Sequence, residues 1–175
     1  MNTELVITKI TRADLKGAYE VFEKTVPIAI GGEDSESIEE IKAIINSKKN
    51  MVDKAVNDTS IAFFIAKING KIVATVAYTL CSEDMKISTK NKINNIGEIG
   101  SLFVLPEYQG KGIGSILIQY MESYLKERGI EEYSLMSGYK DAQPKWIKKF
   151  GKPLITVKDY WGVGVDNMIW GCKIE

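Results

Sequence analysis

The sequence predicts an α/β protein built on a mixed sheet flanked by helices. Three observations predict it. Residues 59–68 and 71–80 are both strand-like and are separated by Asn69-Gly70, the strongest short hairpin signal, so part of the sheet is antiparallel. Residues 96–105 form an apolar, strand-like run that Pro106 ends, since proline cannot donate to a ladder. A helix follows, with Ile113, Ile116, Leu117, Tyr120, Met121, Tyr124 and Leu125 on one stripe, and then a short strand at 132–136. Strand, helix and strand make one parallel crossover.

The other elements follow in order. Residues 5–10 alternate apolar and polar and read as a strand. Thr11 caps a helix over 13–24 with Leu15, Ala18, Tyr19 and Phe22 on one face. Residues 26–32 are apolar, end in Gly-Gly and read as a loop or turn. Ser35 or Ser37 starts a second helix over 38–47, with acidic residues in its first turn. Whether 48–57 continues it stays open. Residues 82–95 are polar and charged and read as a long surface loop. The central helix runs to Arg128 and is closed by Gly129. Residues 142–150 read as a helix with Pro144 in its first turn. Residues 154–160 and 167–174 read as two strands linked by Trp161-Gly162-Val163-Gly164.

Length and composition narrow the function. A chain of 175 residues fits a single domain, 1–175, with a substantial core. Lys plus Arg equals Asp plus Glu, 23 against 23, so the basic surplus of a nucleic-acid binder is missing. No apolar run is long enough to cross a membrane, and residues 1–20 lack a signal-peptide core. The two cysteines, Cys81 and Cys172, read as reduced, buried residues of a cytoplasmic protein. There is no histidine, so Ser-His-Asp and Cys-His catalysis in their usual forms are excluded. A zinc site is not expected either, and no metal is assigned. A general base must then be a carboxylate, lysine, tyrosine, cysteine or water.

The stretch 96–128 holds the chemistry. Gln109-Gly110-Lys111-Gly112-Ile113-Gly114 lies between a strand and a helix. Three alternating glycines clear side chains from the backbone, and the first N–H groups of a helix lack internal partners. With the helix dipole they make an anion site suited to phosphate, and Lys111 adds positive charge. A single glycine would read more simply as a tight turn. The spacing fits neither a P-loop nor the dinucleotide fingerprint, whose glycines stand at i, i+2 and i+5.

What does match is Leu-x-Val-x-Pro followed by Gln/Arg-x-x-Gly-x-Gly/Ala, here Leu102, Val104, Pro106, Gln109, Gly112 and Gly114. This pattern resembles the Gcn5-related N-acetyltransferase (GNAT) family. The resemblance implies the GNAT fold, a mostly antiparallel sheet with a splayed parallel pair. It implies acetyl-CoA as co-substrate, with the pyrophosphate on the N–H groups of Gln109, Gly110, Lys111, Gly112, Ile113, Gly114 and Ser115. It also implies pantetheine along the backbone of Phe103 and Val104, with the Val104 N–H donating to the thioester oxygen. A fixed donor of that kind is worth roughly 3 kcal/mol at a transition state.

Acetyl transfer also needs a base and an acid. Glu98 sits inside an apolar strand, where desolvation favours the neutral acid and so suits a base working near neutral pH. Family members often carry an acidic residue there. A solvent-facing or lysine-paired carboxylate is the plainer reading. Strict alternation puts Glu98, Leu102 and Val104 on one face, unless a bulge near Gly100 intervenes. The tyrosine that the family often uses as general acid aligns with Ile147. The nearest substitutes are Tyr139 and Tyr160, and Tyr139 is carried forward as the candidate acid. The asparagine usual before that helix is replaced by Lys140 and Asp141, and Lys149 matches a lysine able to reach the phosphates. Trp161 stands where it would wall an acceptor pocket or pack in a turn. The acidic run Glu33, Asp34, Glu36, Glu39 and Glu40 would attract a cationic amine or simply start a solvated helix.

The expected activity is N-acetylation of a primary amine on a small molecule by direct attack. Alternatives are a protein or peptide N-acetyltransferase and a non-catalytic acyl-CoA-binding module. The oligomeric state stays open, a homodimer included.

Overall fold

The structure, a computed structural model, describes residues 4–31, 35–93 and 95–175. Two compact units form, one from the chain up to Tyr78 together with Ser101–Met121, the other from Thr79–Gly100 together with Glu122–Glu175. The strands are β1 (Leu5–Lys9), β2 (Ala62–Ile68), β3 (Lys71–Thr79), β4 (Glu98–Val104), β5 (Glu132–Ser137), β6 (Ile155–Val157) and β7 (Asn167–Lys173). Their hydrogen-bonded order is β1-β2-β3-β4-β5-β7-β6, and β4 with β5 is a parallel pair. The helices are α1 (Leu15–Ile30), α2 (Ser35–Ala55), α3 (Glu83–Thr89), α4 (Ile113–Lys126) and α5 (Gln143–Phe150). The protein is thus α/β, with a mostly antiparallel sheet flanked by helices.

In the first unit, β1 and β3 both pair antiparallel with β2. The β2–β3 hairpin turns at Asn69 and Gly70, with φ 51 and 78, the two left-handed residues that an Asn-Gly turn supplies. Thr11 and Asp14 form a capping box ahead of α1. The helix then runs on to Ile30 rather than ending near residue 24. Pro27, inside the helix, removes one helical hydrogen bond, and buried Thr25 and Val26 hold that turn against the core. Gly31 closes it at φ 70, donating its N–H to the Pro27 carbonyl at 3.0 Å. α2 likewise extends to Ala55, because Val52 and Ala55 are buried. Tyr19 donates to Asp53, and Lys49 pairs with Glu23 at 2.5 Å, both joining α1 to α2. The core here centres on Phe22, which meets Phe63 and Phe103 edge to face at 6.5 and 5.6 Å.

In the second unit, the segment expected as a loop contains α3. Ser82 caps it, its hydroxyl accepting the Met85 N–H at 3.2 Å, and Glu83 and Asp84 occupy the positive first turn. Met85 packs with Cys81 and Ile169. β5 and β6 both pair antiparallel with β7. β6 is three residues long, shorter than expected, because the chain turns at Asp159, whose φ is 52. Tyr133 and Trp170 are fully buried, and the Tyr133 hydroxyl donates to Glu122 at 2.6 Å.

Candidate active site

The glycine-rich turn belongs to the first unit. β4 ends at Val104, and the Leu105 N–H reaches the Val73 carbonyl at 2.9 Å. A 3-10 turn, Pro106–Tyr108, leads to Gln109. Gly110 and Gly112 take φ 73 and 80, and nothing lies within 4 Å of where a Cβ would stand on either. That combination favours glycine and leaves the backbone open. α4 makes its first backbone bond from Ile116 N–H to the Gly112 carbonyl at 3.1 Å. The N–H groups of Ile113, Gly114 and Ser115 precede that bond and stand at the positive helix end. Gly114 plays a different part: a Cβ there would touch Leu102 and Val104 at 3.7 and 3.9 Å, so this turn of α4 lies close on β4.

Side chains brace the turn. Gln109 Nε2 donates to the Val104 carbonyl at 2.9 Å, using one of its two lone pairs. Lys111 Nζ donates to the Glu107 carbonyl at 2.9 Å and lies 5.1 Å from the Tyr108 ring centroid. The Phe103 ring is buried against Phe22, with Lys48 Nζ 5.9 Å from its centroid.

Glu98 belongs to the second unit, at the other end of the same strand. It is 9% exposed, and its Oε2 accepts the Ser82 N–H at 3.2 Å. The parallel register sets it opposite Ser134, whose N–H reaches the Gly97 carbonyl at 2.8 Å. Strict alternation fails along β4: Glu98 and Ile99 are both buried, and Ser101 is left-handed at φ 49. The pleat is broken one residue past the expected Gly100. Ser82 was not among the residues singled out from sequence. Its signal was a serine ahead of Glu83 and Asp84, the mark of a helix start.

Burial, and then the charge of Glu98, push the Cys81 thiol up, so it stays protonated and is a poor nucleophile. Burial pushes Cys172 up to about 11. Tyr139 follows β5 by two residues, and its carbonyl accepts the N–H groups of Ala142 and Gln143 at 3.0 and 3.1 Å. Tyr160 donates its hydroxyl to Asp84 Oδ1 at 2.8 Å. Ile147 is 42% exposed on α5. Lys149 lies 5.4 Å from the Phe150 ring centroid. Of the acidic run, Glu33, Asp34 and the Glu36 side chain lie outside the described residues. Glu39 pairs with Lys42 at 2.8 Å, and Glu40 is exposed. Among the described residues no group of three or more His, Cys, Asp or Glu could hold a metal ion.

Residues 19–151 match the model of the Acetyltransferase (GNAT) family. The chain belongs to the GNAT family. Among curated proteins, this GNAT chain is similar to an uncharacterised N-acetyltransferase of Methanocaldococcus jannaschii, with 37% identity over 67 residues. That stretch covers 38% of this chain and 27% of the relative. It is also similar to an uncharacterised N-acetyltransferase of Chlorobaculum tepidum, 27% identical over 94 residues, covering 49% of this chain and 54% of that one. The chain therefore spans at most about half the length of these two curated relatives. Among solved structures, the PaiA N-acetyltransferase of Thermoplasma acidophilum in complex with coenzyme A has a TM-score of 0.69. Its identity is 22%, and the match covers 97% of this GNAT chain and 99% of that one. This likeness is one of fold.

Proposed function

We propose that the chain is an acetyl-CoA-dependent N-acetyltransferase acting on a primary amine of a small molecule. One observation carries the reading: a single strand, β4, bears a buried carboxylate at its start and leads at its end into an open, glycine-lined helix N-terminus. The first feature suits proton abstraction and the second suits a pyrophosphate. Acetyl-CoA supplies the acetyl group as an activated thioester. Family membership, and a neighbour of like fold solved with coenzyme A, support that co-substrate.

The chain's own residues take these roles. The N–H groups of Gln109 to Ser115 hold the pyrophosphate, and the open positions at Gly110 and Gly112 let it approach. The backbone of Phe103 and Val104 binds the pantetheine arm. Glu98 takes the proton of the attacking amine, directly or through one water. Tyr139 returns a proton to the departing thiolate. Both cysteines are free and buried, which fits a reducing compartment, and the cytoplasm is the proposed location.

A second reading, a non-catalytic acyl-CoA-binding module, is favoured by the exposed Ile147 at the family's tyrosine position. Thiol release from acetyl-CoA separates the two. The panel of acceptors is spermidine, aminoglycosides, amino acids and short peptides. Release with a small amine, and acetylated amine in the mass spectrum, is the expected result. Coenzyme A binding without release from any acceptor would establish the second reading instead. Release with peptides alone would move the acceptor class to proteins.

A further inference from the structure

The connection between β6 and β7 is a self-braced loop. Asp159 N–H donates to Asp166 Oδ1 at 3.1 Å, and Lys158 pairs with Asp166 Oδ2 at 2.7 Å. Gly164 N–H donates to Asp159 Oδ1 at 2.5 Å. Trp161 N–H reaches the Val165 carbonyl at 3.1 Å, and Val165 N–H the Gly162 carbonyl at 2.9 Å. A loop so tied has few conformations left, and it projects two aromatic side chains in fixed directions.

Each side chain grips a segment next to a candidate catalytic group. Tyr160 donates its hydroxyl to Asp84 Oδ1 on α3 at 2.8 Å. Trp161 meets the Tyr160 ring edge to face at 4.7 Å and lies flush on Gly138. A Cβ at Gly138 would come within 2.5 Å of Trp161 Cδ1. Gly138 immediately precedes Tyr139. α3 has seven residues, too few to persist as a helix without outside support. That support comes from Tyr160, from Asn167 Nδ2 on Ser88 Oγ at 3.1 Å, and from buried Met85. The cap of α3 is Ser82, whose N–H holds Glu98 Oε2.

We propose that Tyr160 is a positioning residue: by tying Asp84 it fixes α3, and α3 fixes the Ser82 N–H that aims the Glu98 carboxylate. The proposal rests on Glu98 being the base. In this proposal Tyr160 and Asp84 act on the reaction through Glu98, by way of α3 and Ser82.

Three variants test it: Tyr160→Phe, Asp84→Leu and Asp84→Asn, the last keeping an oxygen acceptor for the phenol. Amide hydrogen exchange at Ser82 and Met85 reads the tether without reference to activity. In Tyr160→Phe and Asp84→Leu these amides should exchange about five- to tenfold faster, as loss of one net hydrogen bond predicts. With an accepted amine, kcat should fall about ten- to a hundredfold, the cost of a slightly misplaced catalytic group, while KM for acetyl-CoA stays within about twofold. Asp84→Asn should restore both readouts.

Unchanged exchange overturns the proposal. A lower melting temperature with wild-type kcat also overturns it, since the bond is then structural alone. If Glu98→Gln abolishes turnover and Tyr160→Phe does not lower it, this proposal fails while the function stands. If Glu98→Gln keeps wild-type turnover, the reading of Glu98 as base fails and takes this proposal with it.

Discussion

The backbone N–H of Ser82 donates to Glu98 Oε2 at 3.2 Å, while the Ser82 hydroxyl caps α3. One residue therefore starts a helix and holds the carboxylate proposed as the base. Burial, and then the charge of Glu98, keep the neighbouring thiol of Cys81 protonated.

Glu98→Gln keeps the size and an oxygen for the Ser82 N–H but removes the basicity. Turnover should fall roughly a hundredfold, the usual share of a general base. Coenzyme A affinity should not change, because its proposed contacts begin at Phe103. The loss should shrink at high pH, since a free alkylamine has a pKa near about 10 and needs less help there. Rate against pH for both proteins, with one accepted amine, is the measurement. Wild-type turnover by the mutant at neutral pH would sink the assignment.

Gly112→Asp places a side chain and a negative charge at an open, left-handed position. Holding an L residue there costs roughly 1–2 kcal/mol, and the charge opposes a phosphate directly. Calorimetry should show coenzyme A binding weakened at least about a hundredfold, using only protein whose circular dichroism matches wild type. Undiminished affinity would place the pyrophosphate elsewhere.

Asp14 pairs with Lys67 at 2.7 Å. Burial favours its neutral form and is the largest single influence. Hydrogen bonds from Lys67 and Thr11 together outweigh it, and the carboxyl titrates below its ordinary 3.8. The unfolded chain then binds that proton more readily than the folded one. The stabilisation is present above 3.8 and is lost as pH falls through the lower folded value. Asp14→Asn should cost about 1–2 kcal/mol in urea unfolding at neutral pH, and the gap should close in strong acid. A gap of equal size in acid would refute the ionic account.

Phe22 is fully buried and touches Phe63 and Phe103. Phe22→Ala should lower unfolding free energy by about 3–5 kcal/mol. Coenzyme A affinity should fall as well, because the Phe103 backbone loses the packing that holds it. Urea titration and calorimetry on the same preparation read both effects.

Much of this was legible because local chemistry and tertiary demand agreed. Asn69-Gly70 could hardly be anything but a hairpin turn, and Gly129 closes the central helix at φ 72 as its place after Arg128 implied. Residues 26–30 misled, because Pro27 and a following Gly-Gly look like a break. Pro27 does cost the helix a hydrogen bond, and burial of Thr25 and Val26 offsets it. Polarity hid α3, since only Met85 among its early residues faces the core, and the capping signal was outweighed by the count of charges. At the candidate site, the glycines announced themselves through composition. The backbone donor at Ser82 did not, because an N–H has no letter in a sequence.

β4 departs from a regular pleat at Ser101, and this bears on how the chain can change over evolution. Substitutions at Glu98 or between Gln109 and Ser115 can alter the two ends of the site separately. A one-residue deletion within Glu98–Val104 cannot. It would turn every side chain beyond the gap to the opposite face, exposing Phe103 and reversing Leu102 and Val104 against Gly114. The count of residues between the carboxylate and the glycines should therefore drift more slowly than their identities. New acceptor preferences should arise by exchange of side chains here, and by insertion only in outlying loops.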